Sequence, residues 1–213
     1  MDRPPFRHTA EALRFLFDPD RVSCDRPPAA RLADNRRGDP GQLSGLDGAA
    51  ESGTAEAMLK GRLTPLHISI LAARYAPSKL RCDCSSDCCS GWRTNPAWRD
   101  AVNYVAHDAM YQAMAGCKSE HVHLRYVTGV LLREYGKHKE HKITLTDLAA
   151  DLGMAGGTGT NHKRRVLNWL LRLEVEPKTS QGDSAGSPPP PPGQEVVAYK
   201  TAEEVLRGGG FIE

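Results

Sequence analysis

Apolar residues recur along this chain at helical spacing in one segment after another, and strand-like alternation is rare. Between Thr9 and Phe17, TAEALRFLF reads as a short helix. Its Leu13, Phe15, Leu16 and Phe17 are more apolar surface than it can bury alone, so it is expected to dock on the main body. A helical pattern resumes from Ala55 to Leu63. Thr64-Pro65 then reads as an N-cap with proline at the first helical position, where a missing N–H does no harm. It opens the helix LHISILAARYA, which Pro77 stops. Asn95-Pro96 repeats the device before a long helix with Trp98, Ala101, Val102, Val105, Ala106 and Ala109 on one face. Tyr126, Val127, Val130 and Leu131 mark the next helix. Strand signal is poor, and the fold class expected is all-α.

The stretch from Ile143 to Leu173 reads as a helix-turn-helix. Thr144-Leu145-Thr146-Asp147 is a capping box that opens the first helix, with Leu145, Leu148, Ala149 and Leu152 along one face. Ala149 and Gly153 suit two helices crossing closely around a tight turn, with Gly153 supplying the left-handed conformation. After the turn the apolar period resumes at Val166, Leu167, Leu170 and Leu171. Thr158, Thr160, Asn161, His162, Lys163, Arg164 and Arg165 lie toward the start of this second helix. Such residue types reach base edges and phosphates from a helix in the major groove. A purely structural helical hairpin is the competing reading. Gly156, Gly157 and Gly159 interrupt the expected start of the second helix, each costing about 1 kcal/mol relative to alanine. Position 159 is where an apolar plug against the first helix is expected, so the start of this helix reads as frayed until DNA orders it.

Charge sharpens this picture. The net charge is only +2, but Lys118 to Arg172 holds 10 Lys+Arg against 5 Asp+Glu, or +5, which leaves 18 against 21, or −3, elsewhere. A basic stretch on a slightly acidic chain is the electrostatic footprint of a DNA-facing surface, or else a solvated basic face. No stretch approaches the roughly 18 apolar residues of a membrane span, and MDRPPFRHTAEALRF lacks a signal-peptide core. The expected location is therefore the cytoplasm, where cysteines stay reduced.

Four of six cysteines crowd into RCDCSSDCCSGW: Cys82, Cys84, Cys88 and Cys89. In a reducing compartment four thiolates suggest a tetrahedral structural zinc site. The spacing differs from paired C-x2-C knuckles, and adjacent Cys88 and Cys89 would strain to ligate one ion, so His67 or His107 could replace one of them. Buried or redox-sensitive thiols, and a disulfide formed only after purification, are the alternatives. No H-E-x-x-H accompanies the cysteines, which argues against catalytic zinc. Trp92 and Trp98, beside this loop, read as packing residues, with ligand stacking the alternative.

The remaining segments divide the chain as follows. Residues 1–54 are an N-terminal helix and loop arm, with a Pro/Gly/Asp/Arg-rich loop from Asp18 to Gly45. Residues 55–136 are a helical core holding the cysteine loop, and 137–176 the helix-turn-helix. A Pro-rich linker, with Pro188 to Pro192 in succession, covers 177–195. In the tail, 196–213, VVAYKTAEEVLRGGGFIE suggests a short strand and a helix capped at Thr201.

Leu63 to Trp98 reads L-x-P-L-x-x-x-I-L-x-A-R-Y-A-P followed by C-x-C-x3-C-C-S-G-x-R-x-N-x-x-W. In this segment, at Leu148 to Leu171 and in the opening MDRPPFRHTAEALRF, the chain resembles prophage-encoded helix-turn-helix DNA-binding proteins with a Cys-rich loop. It departs from them at Ala155 to Gly159, where polar or charged residues would enter the recognition helix. By genomic role that group is more weakly similar to Q-type phage late-gene antiterminators, which bind DNA near a promoter and load onto RNA polymerase. The resemblance implies a helix-turn-helix regulator that binds double-stranded DNA, and little further. A simple repressor needs only about 100 residues. Here long helical segments with a cysteine loop precede the helix-turn-helix, and a proline spacer and tail follow it. That excess suggests a second partner, RNA polymerase, contacted as activator or antiterminator. A simple phage repressor, or a helical protein-interaction module that does not bind DNA, remain the alternatives. No P-loop, Rossmann glycine pattern or nucleophile elbow is present, so no enzymatic activity is expected.

Overall fold

The computed structural model describes residues 4–18, 45–82, 84, 90–118, 122–136, 144–172 and 191–213, with side chains in the second of these segments from residue 50. Eight helices and one two-stranded ribbon lie among them. The helices are α1 (Thr9–Leu16), α2 (Gly45–Arg62), α3 (Pro65–Tyr75), α4 (Pro96–Gln112), α5 (Leu124–Tyr135), α6 (Leu145–Asp151), α7 (Gly156–Leu171) and α8 (Gln194–Gly208). The mostly helical fold agrees with the periodicity. Among the described residues no helix is long and apolar enough to cross a membrane.

The chain divides into two compact units, Met1–Ala101 with Tyr199–Glu213, and Val102–Ala198. In the first, α1, α2 and α3 pack on one another around Leu13, Leu59, Leu63, Ile70 and Leu71. The docking expected of the first helix is thus seen: Ala12 and Leu13 are fully buried, and the Phe15 ring meets Phe6 at a tilt of 48°, centroids 5.3 Å apart. Phe6 in turn donates its N–H to the Phe211 carbonyl, 3.1 Å. Both cap-then-proline signals behave as read. Thr64 accepts the His67 N–H at 3.2 Å and Asn95 Oδ1 accepts the Ala97 N–H at 3.0 Å. Asn95 is itself buried, and its Nδ2 donates to the Pro77 carbonyl at 2.8 Å. Trp98, 2 % exposed, donates its indole N–H to the Ala73 carbonyl at 3.0 Å. These bonds tie the first turn of α4 to the end of α3.

Three expectations need correction. The cysteine segment is not a plain loop between helices. It closes an antiparallel ribbon, β1 (Lys79–Arg81) and β2 (Trp92–Thr94), paired Lys79 with Thr94, Leu80 with Arg93 and Arg81 with Trp92. Runs this short carry too little alternation to be seen in sequence. Second, α2 begins ten residues earlier than its periodicity suggests, at Gly45 instead of Ala55, in a stretch rich in Gly, Ala and Ser. Third, the tail contains no strand at Val196-Val197 and no cap at Thr201, because both lie inside α8. Ala198, Ala202 and Leu206, four apart, are buried along one face, and that burial outweighs the β-propensity of the two valines. Gly193, just before α8, donates its N–H to the Arg172 carbonyl at 2.7 Å. The linker expected over 177–195 lies outside the described residues up to 190, as does nearly all of the loop from Asp18 to Gly45.

Candidate nucleic-acid interface

In the second unit α5, α6 and α7 pack on one another. α6 starts as its sequence dictates, with Thr144 accepting the Asp147 N–H at 3.1 Å. It ends in a Schellman motif: Met154 N–H donates to the Ala149 carbonyl (2.8 Å) and Gly153 N–H to the Ala150 carbonyl (2.9 Å). Gly153 has φ +67°, the left-handed value expected of it, and Met154 is buried behind it. Leu145, Leu148 and Ala149 form the buried face of α6, while Leu152 is half-buried. Gly129 of α5 makes room for that face, since a Cβ there would stand 2.5 Å from Leu148 Cδ2. Periodicity does not reveal this glycine's role.

The expectation of an apolar plug at position 159 fails in an instructive way. Tyr126 of α5 occupies that place. Its hydroxyl donates to the Gly159 carbonyl at 2.8 Å, and a Cβ on Gly159 would lie 3.1 Å from this hydroxyl and 3.2 Å from Ala149 Cβ. Glycine at 159 therefore allows α7 to close against both α5 and α6. Tyr126 is 2 % exposed, and burial pushes its phenol above its ordinary value of 10.0. With this brace α7 already begins at Gly156, although Ala155 supplies no side-chain cap.

α7 has two sharply different sides. Gly159, His162, Val166 and Leu170 are buried, following one another at helical spacing. Opposite them Gly157, Asn161, Arg164 and Asn168 form an exposed line at the same spacing, flanked by exposed Thr160, Lys163 and Arg165. Arg164 donates to Asn161 Oδ1 at 3.2 Å, so these two present one polar surface. α7 contains three cations and no carboxylate.

Of the residues expected to face DNA, His162 must be withdrawn. It is 5 % exposed and meets Tyr126 edge-on, with ring centroids 6.5 Å apart. Thr158 is half-buried. Thr160 returns its hydroxyl to the Gly156 carbonyl (3.1 Å), and Arg165 donates to the Ala115 carbonyl (3.3 Å). Asn168 was missed, although its spacing from Asn161 and Arg164 was readable. Trp169, half-buried, donates to Gln112 Oε1 at 3.1 Å, which braces the far end of α7 on α4.

Of the expected metal ligands, Cys82 and Cys84 lie at the end of β1, where Cys82 N–H donates to the Gly91 carbonyl at 2.9 Å. Cys82 is half-buried and Cys84 exposed. Cys88 and Cys89 lie outside the described residues. Among the described residues no group of three or more His, Cys, Asp or Glu is placed to hold a metal ion. His67 is half-buried on α3 and His107 exposed on α4. Trp92, expected to pack, is instead 53 % exposed.

Comparison of the chain with protein-family models, with curated proteins and with solved structures gives no match.

Proposed function

We propose that the α5–α7 cluster binds double-stranded DNA, with α6 and α7 acting as a helix-turn-helix and α7 entering the major groove. The observation that carries this reading is the two-sidedness of α7. Its inner line is held by Tyr126 and the core, while its outer line offers Asn161, Arg164 and Asn168 with no carboxylate to repel phosphate. Asparagine pairs with adenine and arginine with guanine in that groove, and Lys163 on the flank suits a phosphate.

Binding to duplex DNA under a salt titration tests it. Lys163→Ala should weaken binding to all sequences alike and flatten the log–log salt slope by about 0.9. Asn161→Ala should cost about 1–3 kcal/mol at one base pair and relax preference there. Variants that both bind as the unaltered chain does would place the DNA contact on another surface.

On this reading the protein is a transcription regulator, and contact with RNA polymerase falls to the parts of the chain not engaged with DNA. Pull-down with polymerase and a terminator read-through assay test that contact. Repression without either result would leave a simple repressor. The zinc proposal stands on Cys82 and Cys84 following the end of β1, with Cys88 and Cys89 close behind them in sequence. One zinc per chain in protein purified under reducing conditions is the expected result, and well-folded metal-free protein would end it.

A further inference from the structure

Trp92 is one of three large aromatic or aliphatic side chains left exposed among the described residues, with Tyr104 and Tyr111. Its setting distinguishes it. Residues two apart on a strand share a side, and directly paired residues share it too. Lys79, Arg81, Trp92 and Thr94 therefore stand on one side of the ribbon, with Arg81 directly opposite Trp92. Leu80 and Arg93 occupy the other. Both arginines are exposed. The described residues of the ribbon and its closing ends (79–82, 84 and 90–94) carry three cations and no carboxylate. Asp83 and Asp87 of the intervening loop lie outside the described residues.

The platform is fixed from below. Asn95 N–H donates to the Ser78 carbonyl at 3.0 Å, Asn95 Nδ2 holds the Pro77 carbonyl, and Trp98 pins the following helix to Ala73. An indole on a ribbon anchored at its open end, beside cations, has little to gain from a closed duplex, whose bases are stacked on one another. It suits a base that is already unstacked, with an adjacent phosphate reached by Arg81. The exposed Arg81 and Arg93 favour a polyanion, and the exposed π-face favours one with free bases.

We infer that the β1–β2 ribbon is a binding surface for single-stranded nucleic acid, with a base stacked on Trp92. The ribbon and α7 belong to different units of the chain, and binding at the ribbon does not depend on the duplex reading. Ribose or deoxyribose backbones present the same phosphates and bases, so both probes are used.

The full chain is titrated with fluorescein-labelled dT15, with U15 and with a 15-base-pair duplex, read by anisotropy and by quenching of tryptophan emission. At least one single strand should bind and quench. Trp92→Leu, apolar but without a π-face, should weaken that binding by about 5- to 150-fold. Trp92→Tyr should stay within a few fold of the unaltered chain. Arg81→Gln should flatten the salt slope for the single strand by about 0.7. Duplex affinity should be the same in the unaltered chain and Trp92→Leu. Binding of neither single strand, or Trp92→Leu binding as well as Trp92→Tyr, would overturn the inference. So would an equal loss of duplex affinity in Trp92→Leu, because the ribbon would then be a duplex contact.

Discussion

At the start of α4, Asn95 accepts the Ala97 N–H and Pro96 fills the first helical position. At the start of α7, Ala155 offers no side-chain acceptor and two glycines follow it. The first helix is specified by its own few residues. The second is held by partners elsewhere in the chain: the Schellman turn that delivers it, and Tyr126, 33 residues away from Gly159 in sequence, that braces its first turns. The difference has a functional side. A bulky side chain at Gly157 would stand on the line proposed to meet DNA, where the glycine leaves open space. Local rules are broken where a site is suspected, and the compensation comes from packing behind it.

The largest effect should come from attacking the locally specified helix. Asn95→Ala removes the cap of α4, worth about 1 kcal/mol. It also leaves the Pro77 carbonyl without its donor, about 1–3 kcal/mol more. A loss of about 2–4 kcal/mol by urea denaturation is expected. Asn95→Ser, which keeps a capping acceptor and loses the donor to Pro77, should fall between. Equal stability in all three chains would show that α4 needs neither bond.

Next is the tertiary brace. Gly159→Leu installs the plug expected from sequence, but the space already holds the Tyr126 hydroxyl and Ala149 Cβ. Overpacking should cost about 1–3 kcal/mol. The double variant Gly159→Leu/Tyr126→Ala should be less destabilised than the sum of the two single variants, because the leucine then enters vacated space. Strict additivity would mean that Tyr126 and residue 159 do not share one site.

The contrast also explains what could be read in advance. Caps at Thr64, Asn95 and Thr144, the left-handed Gly153 and the buried faces of α4 and α5 depend on residues a few positions apart, so they were legible. The Tyr126–Gly159 bond and the Gly129 notch under Leu148 are meetings of distant residues that leave no periodic trace. His162 looked outward because it sits in a polar run, Asn161 to Arg165. Only the phase of the helix, fixed by Gly159 and Val166, turns it inward. The same phase brings Asn168 onto the outer line.

A smaller effect is expected from Tyr126→Phe, which removes one hydrogen bond and leaves the ring in place. The cost should be about 0.5–1.5 kcal/mol. It also carries a pH signature. Burial raises the phenol's folded pKa above 10.0, so the folded chain holds this proton where the unfolded chain has lost it. Stability from this group is therefore intact below pH 10 and falls as the pH rises beyond it. Alkaline denaturation of the two chains side by side should show a steeper decline in the unaltered one. Parallel curves would mean that the hydroxyl is not buried against Gly159.

The smallest change tests whether the brace is sufficient. Gly157→Ala adds a methyl into open space at the start of α7, on the line with Asn161 and Arg164. Helix propensity alone should raise stability by up to about 1 kcal/mol. Two consequences for duplex DNA can then be separated. If Tyr126 already orders the first turn, preordering adds nothing, and a methyl on the facing line leaves affinity equal or lower. If that turn is instead ordered only by DNA, the alanine removes part of the ordering cost, and affinity rises with stability. The geometry favours the first outcome, because α7 begins at Gly156 with its Gly159 carbonyl already engaged. A several-fold gain in duplex affinity for Gly157→Ala would show that packing alone does not complete the helix, and that the ligand finishes what Tyr126 begins.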